Sequence, residues 1–198
     1  MKTTRARRVR RAALSAVSAV SVAAAVLAAS AGGAVASPAS GGANPIVRID
    51  GGLIRGTSAT GVNSFLGLPY AAPPTGKLRW RPPQPASSWS GVRDATQFGP
   101  SCPQALTRNP FLPPGTISED CLYLNVYTPA VHQGGNRPVL VWIHGGGLVQ
   151  DGARNYDGTK LAADGAVVVT INYRLGALGF LAHPALASRP GGPAATTG

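Results

Sequence analysis

Three consecutive glycines, Gly145, Gly146 and Gly147, follow His144 at the end of an unbroken apolar run, Val139-Leu140-Val141-Trp142-Ile143. Glycine loses the most backbone entropy on ordering, so neither a helix nor a strand gains from such a run. It suits a place where backbone N–H groups must approach a reacting atom with no side chain between them. Donors fixed in advance could stabilise the negative charge that develops on a carbonyl oxygen under attack. Taken alone, a bare triple glycine fits a flexible strand-to-loop connection better, and only its flanks can decide between the two.

The elements around the loop are those of a mixed α/β sheet. Val139 to Ile143 is too short for a lone helix and reads as a strand buried on both faces. Ala166-Val167-Val168-Val169-Thr170-Ile171-Asn172-Tyr173 is a second such run. Between them Asp157 is a fair N-cap for a short helix near Gly158 to Asp164, with Gly165 as its stop. Strand, loop, helix and strand predict a parallel pair. Upstream, Ile46-Val47-Arg48-Ile49-Asp50 alternates, Gly51-Gly52 signals a turn, and Leu53-Ile54-Arg55-Gly56 returns. With Val62 to Leu68 these residues predict a small antiparallel ribbon leading into a larger sheet. Leu122-Tyr123-Leu124-Asn125-Val126-Tyr127 alternates as a further strand, and Val131 to Asn136 reads as a polar turn.

Six prolines between Pro69 and Pro85 exclude helix and central strand, which leaves an extended coil pinned by Trp80 and Trp89. Leu175 to Leu181 reads as a packed loop or the start of a short helix. Phe111 and Leu112 lie in the loop from Cys102 to Cys121, where they could line a pocket or cap the core.

Of 198 residues 44% are hydrophobic, enough for a core, while Gly 26 and Pro 18 point to many turns. The net charge of +11 is concentrated at one end. Lys2, Arg5, Arg7, Arg8, Arg10 and Arg11 precede every acidic residue, leaving 12 scattered basic residues against 7 acidic ones. No basic helix or aromatic-interleaved patch supports nucleic-acid binding. The basic end, the uncharged stretch Ala12 to Ala29 and Ala34-Val35-Ala36 read as a secretory signal peptide, residues 1–36, cut after Ala36. Export by the general or the twin-arginine route is left open. No stable membrane anchor is expected after cleavage. In an exported chain the two cysteines, Cys102 and Cys121, are most simply a disulfide, with two free buried thiols as the alternative. Residues 37–45 read as a disordered linker and 184–198 as a disordered Gly/Pro/Ala tail.

Against this background Ser118-Glu119-Asp120-Cys121-Leu122-Tyr123-Leu124-Asn125-Val126 resembles the second signature of the type B carboxylesterase family. Phe65-Leu66-Gly67-Leu68-Pro69-Tyr70-Ala71, Pro73-Pro74, Leu78-Arg79-Trp80, Val141-Trp142-Ile143-His144-Gly145-Gly146-Gly147 and Asn172-Tyr173-Arg174-Leu175-Gly176-Ala177-Leu178-Gly179-Phe180-Leu181 fall in the family's order. The resemblance spans residues 46–183. It implies the N-terminal part of an α/β-hydrolase fold and a secreted serine esterase acting on a small-molecule carboxylic ester. It further implies that Gly146 and Gly147 donate N–H bonds to the oxyanion, that Gly145 shapes the turn, and that His144 orients the loop rather than acting as base. Cys102 and Cys121 resemble the family's first disulfide, and Arg79 and Glu119 match positions expected to form a structural salt bridge. His132 and His183 carry no motif. No metal or organic cofactor is implied, because this chemistry uses side chains and backbone donors.

The departure from the family is large. An α/β-hydrolase nucleophile sits in Gly-x-Ser-x-Gly after a strand, and the 198 residues contain no such pentapeptide. The expectation is therefore a chain truncated before the nucleophile, inert and unstable alone. Its strand Val139 to Ile143 would be left as an apolar, unpaired edge. A non-catalytic cholinesterase-like binding or adhesion module is the second reading. A hormone-sensitive-lipase-like hydrolase is the third, disfavoured by the two cysteines and the Glu119-Asp120-Cys121-Leu122 block.

Overall fold

The alternation in the first ordered stretch folds as a hairpin, β1 (Ile46–Ile49) against β2 (Gly52–Arg55), with Ile49 opposite Gly52. The computed structural model describes residues 44–105, 113–130 and 136–187. The Trp89 ring packs on the hairpin turn, where a Cβ on Gly51 would lie 2.5 Å from it. Trp89 also donates its indole N–H to Leu53 O at 2.8 Å and its backbone N–H to Gly51 O at 2.9 Å. Pro45, assigned to the linker by sequence, already belongs to this unit, because its carbonyl accepts the Gly56 N–H.

The predicted ribbon is rearranged in one respect. The hairpin does not continue into the strand that follows it. Instead β2 pairs in parallel with β5 (Val92–Asp94) in a separate three-stranded sheet. The strand predicted from Val62 is β4 (Val62–Pro69), which joins β3 (Thr57–Ala59), β6 (Tyr123–Pro129), β7 (Val139–Ile143) and β8 (Val167–Ile171) in a five-stranded sheet. Its order is β3-β4-β6-β8-β7. Ile54, Phe65, Leu68 and Ala95 bury one another between the two sheets.

A bulge interrupts β4 between Phe65 and Leu68. Gly67 supplies the positive φ of 66° that the bulge requires, and its N–H is taken up by the buried Asn125 Oδ1 at 3.0 Å. The other end of that amide donates to Thr170 Oγ1 at 2.9 Å, which leaves this polar residue satisfied inside the sheet.

Strands β7 and β8 run parallel, from Val139 against Val167 to Ile143 against Ile171. The link between them carries α1 (Thr159–Ala163). Asp157 caps it from one residue further out than a standard N-cap, accepting the Thr159 N–H at 2.9 Å. Gly165 leaves it at φ 107°. Ala162 and Ala166 pack with Val62, Tyr127 and Val168 on the sheet.

Burial pushes the Tyr127 phenol up to about 12, and the Asp157 charge adds to the shift. An unfolded tyrosine loses its proton near its ordinary value of 10.0, whereas folded Tyr127 keeps it until about 12. Between those values the folded state binds the extra proton, so rising pH favours unfolding. Stability should be insensitive to this group below about pH 10 and fall toward pH 12. Urea midpoints over that range should drop more steeply for the parent than for Tyr127→Phe. Equal slopes would remove Tyr127 as the cause.

Two sequence expectations are corrected. Val139 to Ile143 forms the expected strand, and the reading of it as buried on both faces gives way to the apolar, unpaired edge expected from the missing pentapeptide, its residues being between 47% and 64% exposed. Among the described residues it is the outer strand of the sheet, with β8 as its one hydrogen-bonded neighbour. Likewise, the tail does not begin as irregular chain at residue 184. Pro184–Ala187 forms a short helix, α3, which buries Leu186. Pro184 opens it, where a missing N–H costs nothing, and the His183 ring nitrogen accepts the Ala185 N–H at 3.2 Å. Residues 1–36, read from sequence as a signal peptide, lie outside the described residues, as do residues 37–43, Phe111, Leu112, His132 and the remainder of the tail. Among the described residues no helix is long and apolar enough to cross a membrane.

Candidate active site

The glycine loop leaves the C-terminal end of β7, and its conformation is set by unusual dihedrals. Gly146, Gly147 and Leu148 have φ of 95°, 62° and 64°, and Asp151 has 91°. The Gly146 carbonyl accepts the N–H groups of both Val149 and Gln150 at 3.2 Å, which closes the turn. A Cβ on Gly146 would sit 2.1 Å from Gln150 O, whereas the space around Gly145 and Gly147 is open. Gly145 lacks a positive φ, so the turn closes on Gly146 rather than on Gly145. Among the described residues no acceptor is found for the N–H of Gly146 or Gly147. Two adjacent backbone donors thus remain available.

His144 is buried and packs its ring on Tyr173, centroids 4.4 Å apart and planes 20° from parallel. Its Nδ1 lies 3.0 Å from Gly145 O, so the proton sits on Nδ1 for this contact to be a hydrogen bond. The Tyr173 hydroxyl donates to His144 O at 2.9 Å. Phe180, on α2 (Gly176–Phe180), meets the Tyr173 ring edge-on at 6.3 Å. The Gly176 N–H reaches across to Leu148 O at 2.7 Å. The block after β8 therefore braces both the first and the middle part of the loop.

The far end of the loop is held by residues to which sequence reasoning assigned no role. Asp151 is 3% exposed. Its Oδ1 accepts from Gly152 N–H at 2.7 Å and Asn155 Nδ2 at 2.8 Å, and its Oδ2 from the Tyr156 hydroxyl at 2.7 Å. That bond to the Asp151 carboxylate, with burial, raises the Tyr156 phenol above its ordinary range. Tyr173 is raised too, by burial first and then by the Asp151 charge. Asn172, named only as part of a family block, is buried and fully used. Its Oδ1 accepts the Ala153 N–H at 2.8 Å, its Nδ2 donates to Pro100 O at 2.9 Å, and its carbonyl accepts the Tyr70 hydroxyl at 2.7 Å.

The remaining sequence candidates gather away from the glycines. Cys102 and Cys121 are joined in a disulfide, buried with Ala71, Leu122 and Leu175. Arg79 donates to Glu119 in a two-pronged pair, Nε to Oε2 at 2.6 Å and Nη2 to Oε1 at 2.7 Å. Arg79, Glu119, Cys121 and Arg174 line one shallow cleft. Trp80 fixes the proline-rich coil beside it by donating to Ala177 O at 2.9 Å. Among the described residues no three His, Cys, Asp or Glu side chains gather as a metal site would require.

A bulged antiparallel start, a parallel β7–β8 pair and a glycine loop at the C-terminal end of β7 define part of an α/β-hydrolase fold. A solved PNB esterase structure superposes with a TM-score of 0.68 at 42% identity, over 72% of this chain and 30% of that one. The profile of the carboxylesterase family matches residues 43–191, and the chain belongs to that family. Human cocaine esterase is 53% identical over 138 residues, 64% of this chain and 24% of the relative. The fumonisin B1 esterase of Sphingopyxis macrogoltabida is 49% identical over 138 residues, 68% of this chain and 25% of the relative. The chain thus spans between 24% and 30% of the length of these proteins.

Proposed function

We propose that residues 46–183 form the oxyanion-binding portion of a secreted carboxylic ester hydrolase that works through an acyl-serine intermediate. The observation that carries this reading is the pair of adjacent N–H groups, Gly146 and Gly147, left without an acceptor among the described residues on a braced loop. The family membership and the esterase names of the relatives support it. When a nucleophile attacks the ester carbonyl, negative charge moves to the carbonyl oxygen. Donors already aimed at that point stabilise the tetrahedral species without reorganising, by about 3–4 kcal/mol for one donor. His144 and Tyr173 hold the start of the loop. The Cys102–Cys121 disulfide fits a protein that works outside the cytoplasm after cleavage at Ala36.

With no Gly-x-Ser-x-Gly pentapeptide in the 198 residues, the nucleophile in this reading comes from outside them, and the chain by itself is inert. The test is a hybrid in which residues 46–183 replace the matching segment of PNB esterase. The hybrid should hydrolyse p-nitrophenyl acetate. The 198-residue chain should not exceed its own Gly146→Ala control. A folded hybrid without hydrolysis, or turnover by the isolated chain above that control, would overturn the proposal.

A further inference from the structure

We propose that Gln104 and Asp151 are positioning residues that clasp the far end of the glycine loop to the disulfide-bearing segment and so fix the direction of its free N–H groups. The inference rests on reading those groups as oxyanion donors.

The loop has three points of attachment. Strand β7 and Tyr173 hold its start, and the Gly176 N–H holds Leu148. The third point is Asp151, a non-glycine residue at φ 91°. Side chains adopt that conformation only where the surroundings over-determine it. Here a single side-chain amide does so. Gln104 Oε1 accepts the Asp151 N–H at 2.7 Å, and Gln104 Nε2 donates to Asp151 O at 2.8 Å. The same Nε2 donates to Cys102 O at 3.1 Å, two residues back along the chain and at the disulfide itself. The amide orientation follows from these partners, because a flipped group would set its oxygen against two carbonyl oxygens.

The Asp151 side chain then ties the loop back to its own beginning. Its Oδ2 accepts the Tyr156 hydroxyl at 2.7 Å. The Tyr156 ring also lies 5.2 Å from that of Trp142, on the strand that feeds the loop. Backbone and carboxylate of one buried residue thus secure both ends of the segment that carries Gly146 and Gly147. A loop with three consecutive positive φ values has little intrinsic preference for its shape, so external bonds must set it.

Amide hydrogen exchange on the full 198-residue chain tests the clasp without requiring catalysis. The reporting amides are Val149 and Gln150, which donate to Gly146 O, and Gly176, which donates to Leu148 O. In Gln104→Leu and in Asp151→Ala, exchange at Val149 and Gln150 should rise about tenfold or more, while amides of β6 and β8 keep their rates. Asp151→Asn, which retains the backbone clasp and an acceptor, should stay close to the parent. The milder Tyr156→Phe should speed Val149 and Gln150 with the sheet unchanged, and it decides the matter if a harsher variant fails to fold. Parent-like rates at Val149 and Gln150 in Gln104→Leu and Tyr156→Phe would overturn the proposal, as would equal acceleration of the sheet. Loss of hydrolysis in the hybrid enzyme bears on the donor reading alone, so the two can fail separately.

Discussion

Replacing Gly146 by alanine in the PNB esterase hybrid should lower kcat by about 100- to 1,000-fold with KM little changed. Two independent features lead to this expectation. At φ 95° an alanine is strained, and its Cβ would lie 2.1 Å from the Gln150 carbonyl oxygen, which is backbone and cannot swing away. The loop must therefore shift, and a shift redirects the N–H groups of residues 146 and 147 together. Those groups act on charge that exists only in the transition state, so the loss should fall on kcat rather than on binding. Gly147 provides the contrast. It shares the positive φ, at 62°, but has open space where a Cβ would go. Gly147→Ala should keep the turn and lose less activity than Gly146→Ala. Equal kinetics for parent and Gly146→Ala, with the fold retained, would contradict the assignment.

Removal of the disulfide should produce the largest change in stability. Cys102 and Cys121 are separated by 19 residues, and their bridge closes a loop worth about 3 kcal/mol in the chain-entropy model. Both are almost fully buried, packed with Ala71, Leu122 and Leu175, so the bond also organises a core cluster. The segment it anchors carries Gln104 on one side and Glu119 on the other. The double variant Cys102→Ala/Cys121→Ala should lose about 3 kcal/mol in urea unfolding, a large share of the stability of a domain this size. A double variant as stable as the parent would show that packing alone holds this segment.

The sequence made the strands legible wherever the apolar pattern was long. The runs from Val139 and Val167 and the alternation after Leu122 all form strands close to the expected residues. Burial was less legible, because it depends on neighbours rather than on composition. By composition the five residues from Val139 read as buried, and only the absence of a Gly-x-Ser-x-Gly block pointed to the exposed edge they form. Strands β3 and β5 have three residues each and no periodicity, and their pairing is set by partners remote in sequence. The glycine loop could be interpreted only through the blocks that flank it. Its clasp left no local sign at all: Gln104 and Asp151 are 47 positions apart, and each alone is an ordinary polar residue. The outlier φ of Asp151 could be found only in the folded chain.

The most direct measurement of the central claim is the affinity of the hybrid for a trifluoromethyl ketone, whose serine adduct places an alkoxide where the oxyanion forms. If Gly146 and Gly147 are the donors, Gly146→Ala should weaken this inhibitor by the same factor, about 100- to 1,000-fold, by which it lowers kcat/KM. An inhibitor bound equally well by parent and variant, while both remain folded, would contradict the account.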